Sequence, residues 1–169
     1  ITELILDYFE HVQVHHRRAD GSPTSEVRDN RMALRTLRRL YGRTSADAFG
    51  PLALKAVRQD YITQGLSRTT VNSHVGRIKR MFRWAVENER VSPTVLQGLL
   101  AVRGLQRGRS EAKETEPVQP VSDDHVAAVV PLLSPQVAAV VKLMHLTGMR
   151  VGEAVAMRMA DLDMTGAVW

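Results

Sequence analysis

Apolar side chains recur at helical spacing along most of the chain, and the alternating pattern of a half-buried strand is nearly absent. Residues three and four positions apart share one face of a helix, so each such run predicts a helix with one buried stripe. The pattern predicts a mainly α-helical protein with helices over about residues 2–17, 28–41, 51–64, 68–88, 92–101, 123–132, 136–146 and 149–159.

A polar segment separates the first five of these helices from the last three. Residues 103–120 read RGLQRGRSEAKETEPVQP, a stretch with glycines and prolines and almost no large apolar groups, which is typical of a linker. We expect a helical domain over 1–105, a linker over 106–118 and a second, mostly helical unit over 119–169. Helix 136–146 is apolar nearly all round, so we expect it to be buried.

The composition restricts the class of protein further. The 169 residues include no cysteine, which excludes disulfides and thiolate metal sites. No run approaches the roughly 18 apolar residues of a membrane span and no signal peptide opens the chain, so we expect a cytoplasmic protein without a membrane partner. His11 and His15 have a spacing that could hold a metal, but no carboxylate pattern accompanies them, and we expect no metal.

Positive charge is concentrated in the first part of the chain. Residues 1–120 hold 20 Lys and Arg against 13 Asp and Glu, whereas residues 121–169 hold 3 against 5. This asymmetry predicts an acidic partner for the first domain, with nucleic acid the first candidate and an acidic protein or membrane surface the second.

Two predicted helices, 28–41 and 68–88, each separate a basic face from an apolar stripe. Such a face can be plain solvated surface, but Lys and Arg also neutralise phosphates, and Ser, Thr and Asn supply short directional hydrogen bonds to DNA. Aromatic residues make up only 5% of the chain, which disfavours binding of single strands by base stacking. The predicted contacts with duplex DNA are Arg31, Arg35, Arg38, Arg68, Thr69, Thr70, Asn72, Ser73, Arg77, Lys79, Arg80 and Arg83.

A Thr-Gly pair separates two helical runs in HLTGMRVGEAVAMRMADLD, residues 145–163. Gly148 permits the left-handed turn that ends a helix, and Arg150 then lies in the first turn of the next one. Free amides at a helix start favour an anion, and a guanidinium adds a planar fork that matches two oxygens of a phosphate or carboxylate. Glu153 lies on the same face, where it either orients that fork or only pairs with it.

The segment TGMRVGEAVAMRMADLD resembles the first arginine motif of the tyrosine recombinases, also called the phage integrase family. Their pattern is Thr-Gly-apolar-Arg, a Glu shortly afterwards, an apolar helix, and an Asp near a turn into a strand. The matching residues are Thr147, Gly148, Arg150, Glu153 and Asp161.

Two further segments resemble the same family in the same order. GLSRTTVNSHVGRIKRMFRWAVENERVSPT (65–94) is similar to its core-binding domain, and VQPVSDDHVAAVV (118–130), with Ser122 as a helix cap, to the lead-in to its catalytic domain. The resemblance covers roughly residues 28–169. It implies a small orthogonal, SAM-like helical bundle joined to the start of a tyrosine-recombinase catalytic domain.

The resemblance also implies site-specific breakage and rejoining of DNA. A tyrosine would attack a backbone phosphate to give a 3′-phosphotyrosine intermediate and a free 5′-hydroxyl, with no metal or small-molecule cofactor. Arg150 would be a catalytic residue that holds the scissile phosphate, with Glu153, Thr147 and Gly148 in support. The two domains would form a C-shaped clamp, and four protomers would synapse two DNA sites. The resemblance further implies a cytoplasmic protein, bacterial or phage-encoded, that is associated with the nucleoid.

The family's lysine hairpin, which the strand-like GAVW at 166–169 would begin, its His-x-x-Arg motif and its nucleophilic tyrosine would follow Trp169. Packing is expected for the three upstream tyrosines and for Trp84 and His74, so we expect this chain to bind DNA without cleaving it. Two alternatives stay open. One is a non-catalytic helical DNA-binding regulator or a degenerate recombinase remnant, and the other is a protein-interaction module whose basic faces meet an acidic partner.

Overall fold

The computed structural model describes residues 1–162 and 165–166, and it divides the chain into two compact units, Ile1–Glu116 and Pro117–Trp169. Within the described residues every named element is a helix, and extended pairing is limited to isolated bridges. The predicted mainly α fold is confirmed. No helix in this part of the chain combines the length and the apolar character needed to cross a bilayer.

The helices lie within a few residues of their predicted positions. The first unit contains α1 (Thr2–His15), α2 (Ser25–Tyr41), α3 (Pro51–Thr63), α4 (Arg68–Glu87) and α5 (Pro93–Leu100). The second contains α6 (Asp123–Val129), α7 (Pro135–Thr147) and α8 (Val151–Ala156), with 3₁₀ turns at Val130–Leu132 and Met159–Asp161.

Local chemistry explains where several helices begin. The hydroxyl of Ser67 accepts a hydrogen bond from the Thr70 amide at 3.4 Å, as the helical pattern that starts at residue 68 predicts for a serine at the N-cap of α4. Pro51 and Pro93 occupy the first turns of α3 and α5, where proline loses no intrahelical hydrogen bond.

The core of the first unit forms around α4, which contacts α1, α2, α3 and α5. Its predicted apolar stripe is at most 4% exposed and consists of Val71, Val75, Ile78, Phe82 and Ala85. Phe82 in that stripe stacks on Phe49, with ring centroids 5.2 Å apart. Tyr8 and Tyr61 are buried, and Tyr41 packs edge-on against Phe49. The prediction that the tyrosines pack rather than act as nucleophiles is therefore consistent with where they lie.

The segment after α5 belongs to the first unit, although its composition predicts a linker from residue 106. Ala112 is buried, the Arg68 amide donates to the Lys113 carbonyl at 2.9 Å, and Leu105 is bound to Asn72. The first unit ends at Glu116 and not at 105. One backbone hydrogen bond, the side chains of Asn72 and Arg68, and the buried Ala112 hold this segment, and none of these leaves a periodic signal in the sequence.

The second unit has almost no core among its described residues. Ala154 is the only described residue there that is buried, and Val137 and Leu146 of α7 are 48% and 82% exposed. The prediction that helix 136–146 is buried is therefore wrong for the described structure. An apolar sequence shows that a helix gains from being covered, but the neighbouring α6 and α8 have only seven and six residues to cover it.

Candidate nucleic-acid interface

The predicted arginines of α2 border an apolar groove. Arg31, Arg35 and Arg38 are exposed, and they line this groove together with Leu6 and Phe9 of α1. The Arg31 guanidinium lies over the Phe9 ring, 5.2 Å from its centroid. The groove therefore combines apolar side chains with three cations, a composition that also suits an amphipathic protein segment.

Helix α4 carries an exposed strip of hydroxyl groups and cations, which we call the α4 strip: Thr69, Ser73, Arg80 and Arg83. Arg80 is 52% exposed, and its guanidinium lies 3.3 Å from one oxygen of Glu26. These side chains are spaced four, seven and three residues apart, so helical geometry places them in one row. Thr70 flanks the row and is half-buried.

Arg77, which the sequence predicts as a DNA contact, is removed from this surface. Its side chain is 8% exposed, and one guanidinium nitrogen lies 2.6 Å from a Glu26 oxygen and 3.2 Å from an Asp29 oxygen. A second nitrogen donates to the Ser73 hydroxyl. Arg77 thus ties α4 to α2, and a phosphate could reach it only by breaking these contacts.

Asn72, Lys79 and Arg68 are also engaged inside the first unit. The Asn72 side chain donates to the Leu105 carbonyl at 3.0 Å and accepts from the Leu105 amide at 2.8 Å. The Lys79 ammonium donates to the Val102 carbonyl, and Arg68 lies 2.7 Å from a Glu114 oxygen, which lowers the pKa of that carboxyl. These three predicted contacts instead hold the segment after α5 against α4.

A third group of cations lies beside this segment, and none of them is among the contacts predicted from the sequence. Lys55 and Arg58 of α3 and Arg103 and Arg109 of the segment line one open groove. The charges were visible in the sequence, but the segment lacks helical periodicity and its composition is that of a linker. Hydrogen bonds to α4, and one from Arg58 of α3 to the Arg103 carbonyl, bring its cations next to α3.

The Thr-Gly hinge forms as predicted. Gly148 has φ +71° and ends α7 in the left-handed conformation, which glycine adopts without a steric cost. The Thr147 hydroxyl donates to the Leu143 carbonyl at 2.6 Å and accepts from the Met149 amide at 3.3 Å. Together they stop one helix and set the direction of the next.

Arg150 is the N-cap residue of α8, one position earlier than its predicted place inside the first turn. Its side chain is 87% exposed, with a guanidinium nitrogen 3.1 Å from one Glu153 oxygen, while the other Glu153 oxygen accepts from the Arg150 amide at 2.9 Å. Glu153 therefore both caps the helix and pairs with the fork. An exposed pair of this kind is worth little, so a phosphate can replace the carboxylate at small cost.

The remaining motif residues of the second unit have local roles. Asp161 accepts from the Arg158 amide at 2.8 Å in the last 3₁₀ turn. Ser122 precedes α6 as predicted, but its hydroxyl bonds to the His125 ring at 2.8 Å rather than to a backbone amide. Of the strand predicted to begin at GAVW, residues 167–169 lie outside the described residues.

Several aromatic rings and histidines form a cluster between α1 and α4. The Trp84 ring lies 5.5 Å from Tyr8 and 5.7 Å from His11, as expected for packing on a neighbouring helix, and His11 stacks on His15 at 5.3 Å. Among the described residues, no group of three or more His, Cys, Asp or Glu is placed to hold a metal ion. His74 is buried against Tyr61, which lowers the pKa of its imidazole.

Comparison of the chain with protein-family models, with curated proteins and with solved structures gave no match.

Proposed function

We propose that this chain binds duplex DNA as the core-binding part and first catalytic segment of a tyrosine recombinase. The observation that carries the proposal is the α4 strip, in which Arg80 and Arg83 extend a row of hydroxyl groups on the exposed side of a well-anchored helix. Hydroxyl groups and cations on one rigid element suit phosphate oxygens and the edge of a groove. The motif around Arg150 extends the proposal from binding to strand transfer.

The α4 strip is preorganised. The buried stripe of α4 fixes the helix in the core, and the pairs of Arg77 with Glu26 and Asp29 fix its orientation against α2. Little conformational entropy is then lost when DNA docks, since only the exposed ends of the arginines have to be ordered. The proposed DNA-binding surface of α4 therefore includes fewer residues than the sequence predicts, and its position is fixed by the core of the first unit.

Arg150 is proposed to hold the non-bridging oxygens of the scissile phosphate. Its fork is exposed and lies beside Glu153, where a phosphate can replace the carboxylate and accept two parallel N–H···O bonds. In strand transfer, a tyrosine oxygen forms a bond to phosphorus, and the bond from phosphorus to the 5′ oxygen breaks. The guanidinium bound to the phosphate stabilises the negative charge that develops on it in that step.

Duplex binding is tested by removing charge from the α4 strip. Arg80→Ala with Arg83→Ala should weaken binding to a short mixed-sequence duplex and flatten the plot of log K against log salt by about 1.8, or about 0.9 for each phosphate contact. The matched control, Arg18→Ala with Arg43→Ala, removes the same charge from exposed loop positions. Equal salt slopes for the two variants would show that the α4 strip does not contact the phosphates of DNA.

The recombinase part of the proposal is tested by the genomic sequence that follows the codon of Trp169. A His-x-x-Arg motif followed by a tyrosine supports strand transfer. A stop codon at that point overturns it and leaves a helical regulator or a recombinase remnant that only binds DNA.

A second candidate function is favoured by the groove between α1 and α2. Leu6 is 57% exposed there, and three arginines rim an apolar floor, which would suit an acidic amphipathic segment of a partner protein. If this alternative holds, Leu6→Ser should abolish capture of an acidic amphipathic peptide. The same change should leave duplex binding unaltered.

A further inference from the structure

We propose that the groove between α3 and the segment after α5 is a second track for the phosphates of duplex DNA. We call it the α3 groove and define it by Lys55, Arg58, Arg103, Gln106 and Arg109. This inference rests on the proposed DNA binding and extends it to a surface that carries none of the contacts predicted from the sequence.

The α3 groove concentrates positive charge without compensation. Four of its lining residues are cations, and no carboxylate is among the described residues that line it. None of Lys55, Arg103 and Arg109 takes part in an ion pair within the described part of the chain, although Arg39, Arg68 and Arg77 of the same unit do. Cations held together in this way repel one another, and a polyanion relieves that repulsion.

The walls of the α3 groove are fixed by hydrogen bonds. The Arg58 guanidinium donates to the Arg103 carbonyl at 3.0 Å, and Lys79 donates to the adjacent Val102 carbonyl at 2.5 Å. Arg58 is close enough to Lys79 to contribute, after burial, to the lowered pKa of its ammonium. The groove is therefore formed before any ligand arrives.

Asn72 sets the distance between the segment and α4. It makes two hydrogen bonds to Leu105, and a Cβ built at the neighbouring Gly104 would lie 3.3 Å from the Asn72 oxygen. That separation is tighter than most side-chain contacts, so glycine permits the close approach. Asn72 lies next to Ser73 and one turn from Thr69, and both of these belong to the α4 strip. The α3 groove therefore flanks the α4 strip along one side.

The chemistry of the α3 groove favours a nucleic-acid backbone. The groove is open, and no aromatic ring is among its described lining residues, so it offers no platform for an unstacked base. Duplex DNA presents a phosphate charge about every 1.7 Å along its axis, and a duplex on the α4 strip would bring successive phosphates past a flanking row of cations. We therefore infer that duplex DNA contacts the two surfaces together.

The test uses a groove variant, Lys55→Ala with Arg109→Ala, and the charge-matched control Arg18→Ala with Arg43→Ala. All four side chains are exposed, and neither control residue lines the α3 groove. Binding to a short mixed-sequence B-DNA duplex is followed by fluorescence anisotropy over a salt series, with circular dichroism to check the fold. We expect the groove variant to flatten the salt slope by about 1.8 and to weaken binding by roughly tenfold or more at low salt. The control should change both quantities far less.

The outcomes separate this inference from the proposed function. If the wild-type chain binds duplex DNA and the groove variant behaves like the control, the α3 groove is not a phosphate track although DNA binding stands. If the wild-type chain shows no salt-dependent duplex binding, the proposed function itself fails. If polyglutamate competes as strongly as the duplex and the groove variant weakens both alike, the surface serves an acidic protein and the inference is overturned.

Discussion

The two units of the molecule differ sharply in how they bury apolar side chains. The first unit encloses large residues of several helices, with Phe49, Tyr61 and Leu99 at most 1% exposed. In the second unit, Ala154 is the only described residue that is buried, and Leu146 is 82% exposed. The first unit therefore has a hydrophobic core to stabilise it, and the described part of the second has little.

The difference does not follow from helix composition. Helix α7 is more apolar than α4, yet α4 buries a full stripe and α7 buries no residue. Helix α4 packs against four helices, whereas α7 packs against the six-residue α8 and the 3₁₀ turn Val130–Leu132. Burial depends on how much surface the neighbours offer, and a single helix sequence does not contain that information.

The largest expected contrast comes from one apolar truncation in each unit. Phe82→Ala should lower the free energy of unfolding by about 3–5 kcal/mol, because it opens a cavity beside Phe49 in a packed core. Leu146→Ala should change it by less than about 0.5 kcal/mol, since that side chain is mostly in solvent. Urea unfolding followed by circular dichroism measures both. A loss at Leu146 as large as that at Phe82 would show that α7 is covered in solution.

A second contrast compares the two arginines that the sequence singled out. Arg77→Ala should cost about 2 kcal/mol of stability, because it leaves Glu26 and Asp29 without their shared buried partner, although both are about a third exposed. Arg150→Ala should cost less than about 0.5 kcal/mol, since its pair is exposed. Thermal unfolding of both variants provides the measurement. Equal losses would contradict the assignment of Arg77 to structure and of Arg150 to a ligand.

A third contrast uses two glycines with the same backbone conformation. Gly65 and Gly148 have φ +77° and +71°, and a Cβ at either position would meet no atom within 4 Å. Gly65→Ala and Gly148→Ala should each cost about 1 kcal/mol of local backbone strain. Only Gly65→Ala should lower the unfolding midpoint of the packed unit, while Gly148→Ala should reduce helix content. A shift of that midpoint by Gly148→Ala would show that the hinge is coupled to the core.

The smallest expected effect is a pH dependence in the first unit. Burial and then the nearby Arg77 lower the pKa of His74 from its usual 6.5, and Asp29 opposes this shift. As the pH falls through 6.5, the unfolded chain takes up a proton at this position before the folded chain does. The free energy of unfolding therefore decreases as the pH falls from 6.5 to the lower pKa of the folded chain, and it is constant in this respect below that pKa. His74→Gln should reduce this slope in urea unfolding, and His125→Gln, on exposed α6, should leave it unchanged. A slope that survives His74→Gln intact would assign it to another group, such as His16.

The local features of the fold could be predicted from the sequence. The helices, the Ser67 cap and the glycine stop at Gly148 depend on interactions within about four residues, which the local sequence specifies. The apolar stripe of α4 was predicted correctly because the helical period places its members on one side, and α4 has neighbours on that side.

The candidate site was predicted only in part, because the use of a charge depends on residues far away in the chain. Arg77 and Glu26 are 51 residues apart, and Arg68 and Glu114 are 46 apart, so no local pattern marks them as partners. The α3 groove could not be predicted for the same reason, because its cations come together only when Asn72 binds Leu105, 33 residues away in the chain.

The sequence by itself therefore determined the helices, their ends and the number of positive charges in the first unit. Only the tertiary structure decided which of those charges cross-link helices and which face solvent. The physical reason is that helix formation is governed by backbone hydrogen bonds between near neighbours, whereas an ion pair or a groove requires segments that meet only after the chain has packed.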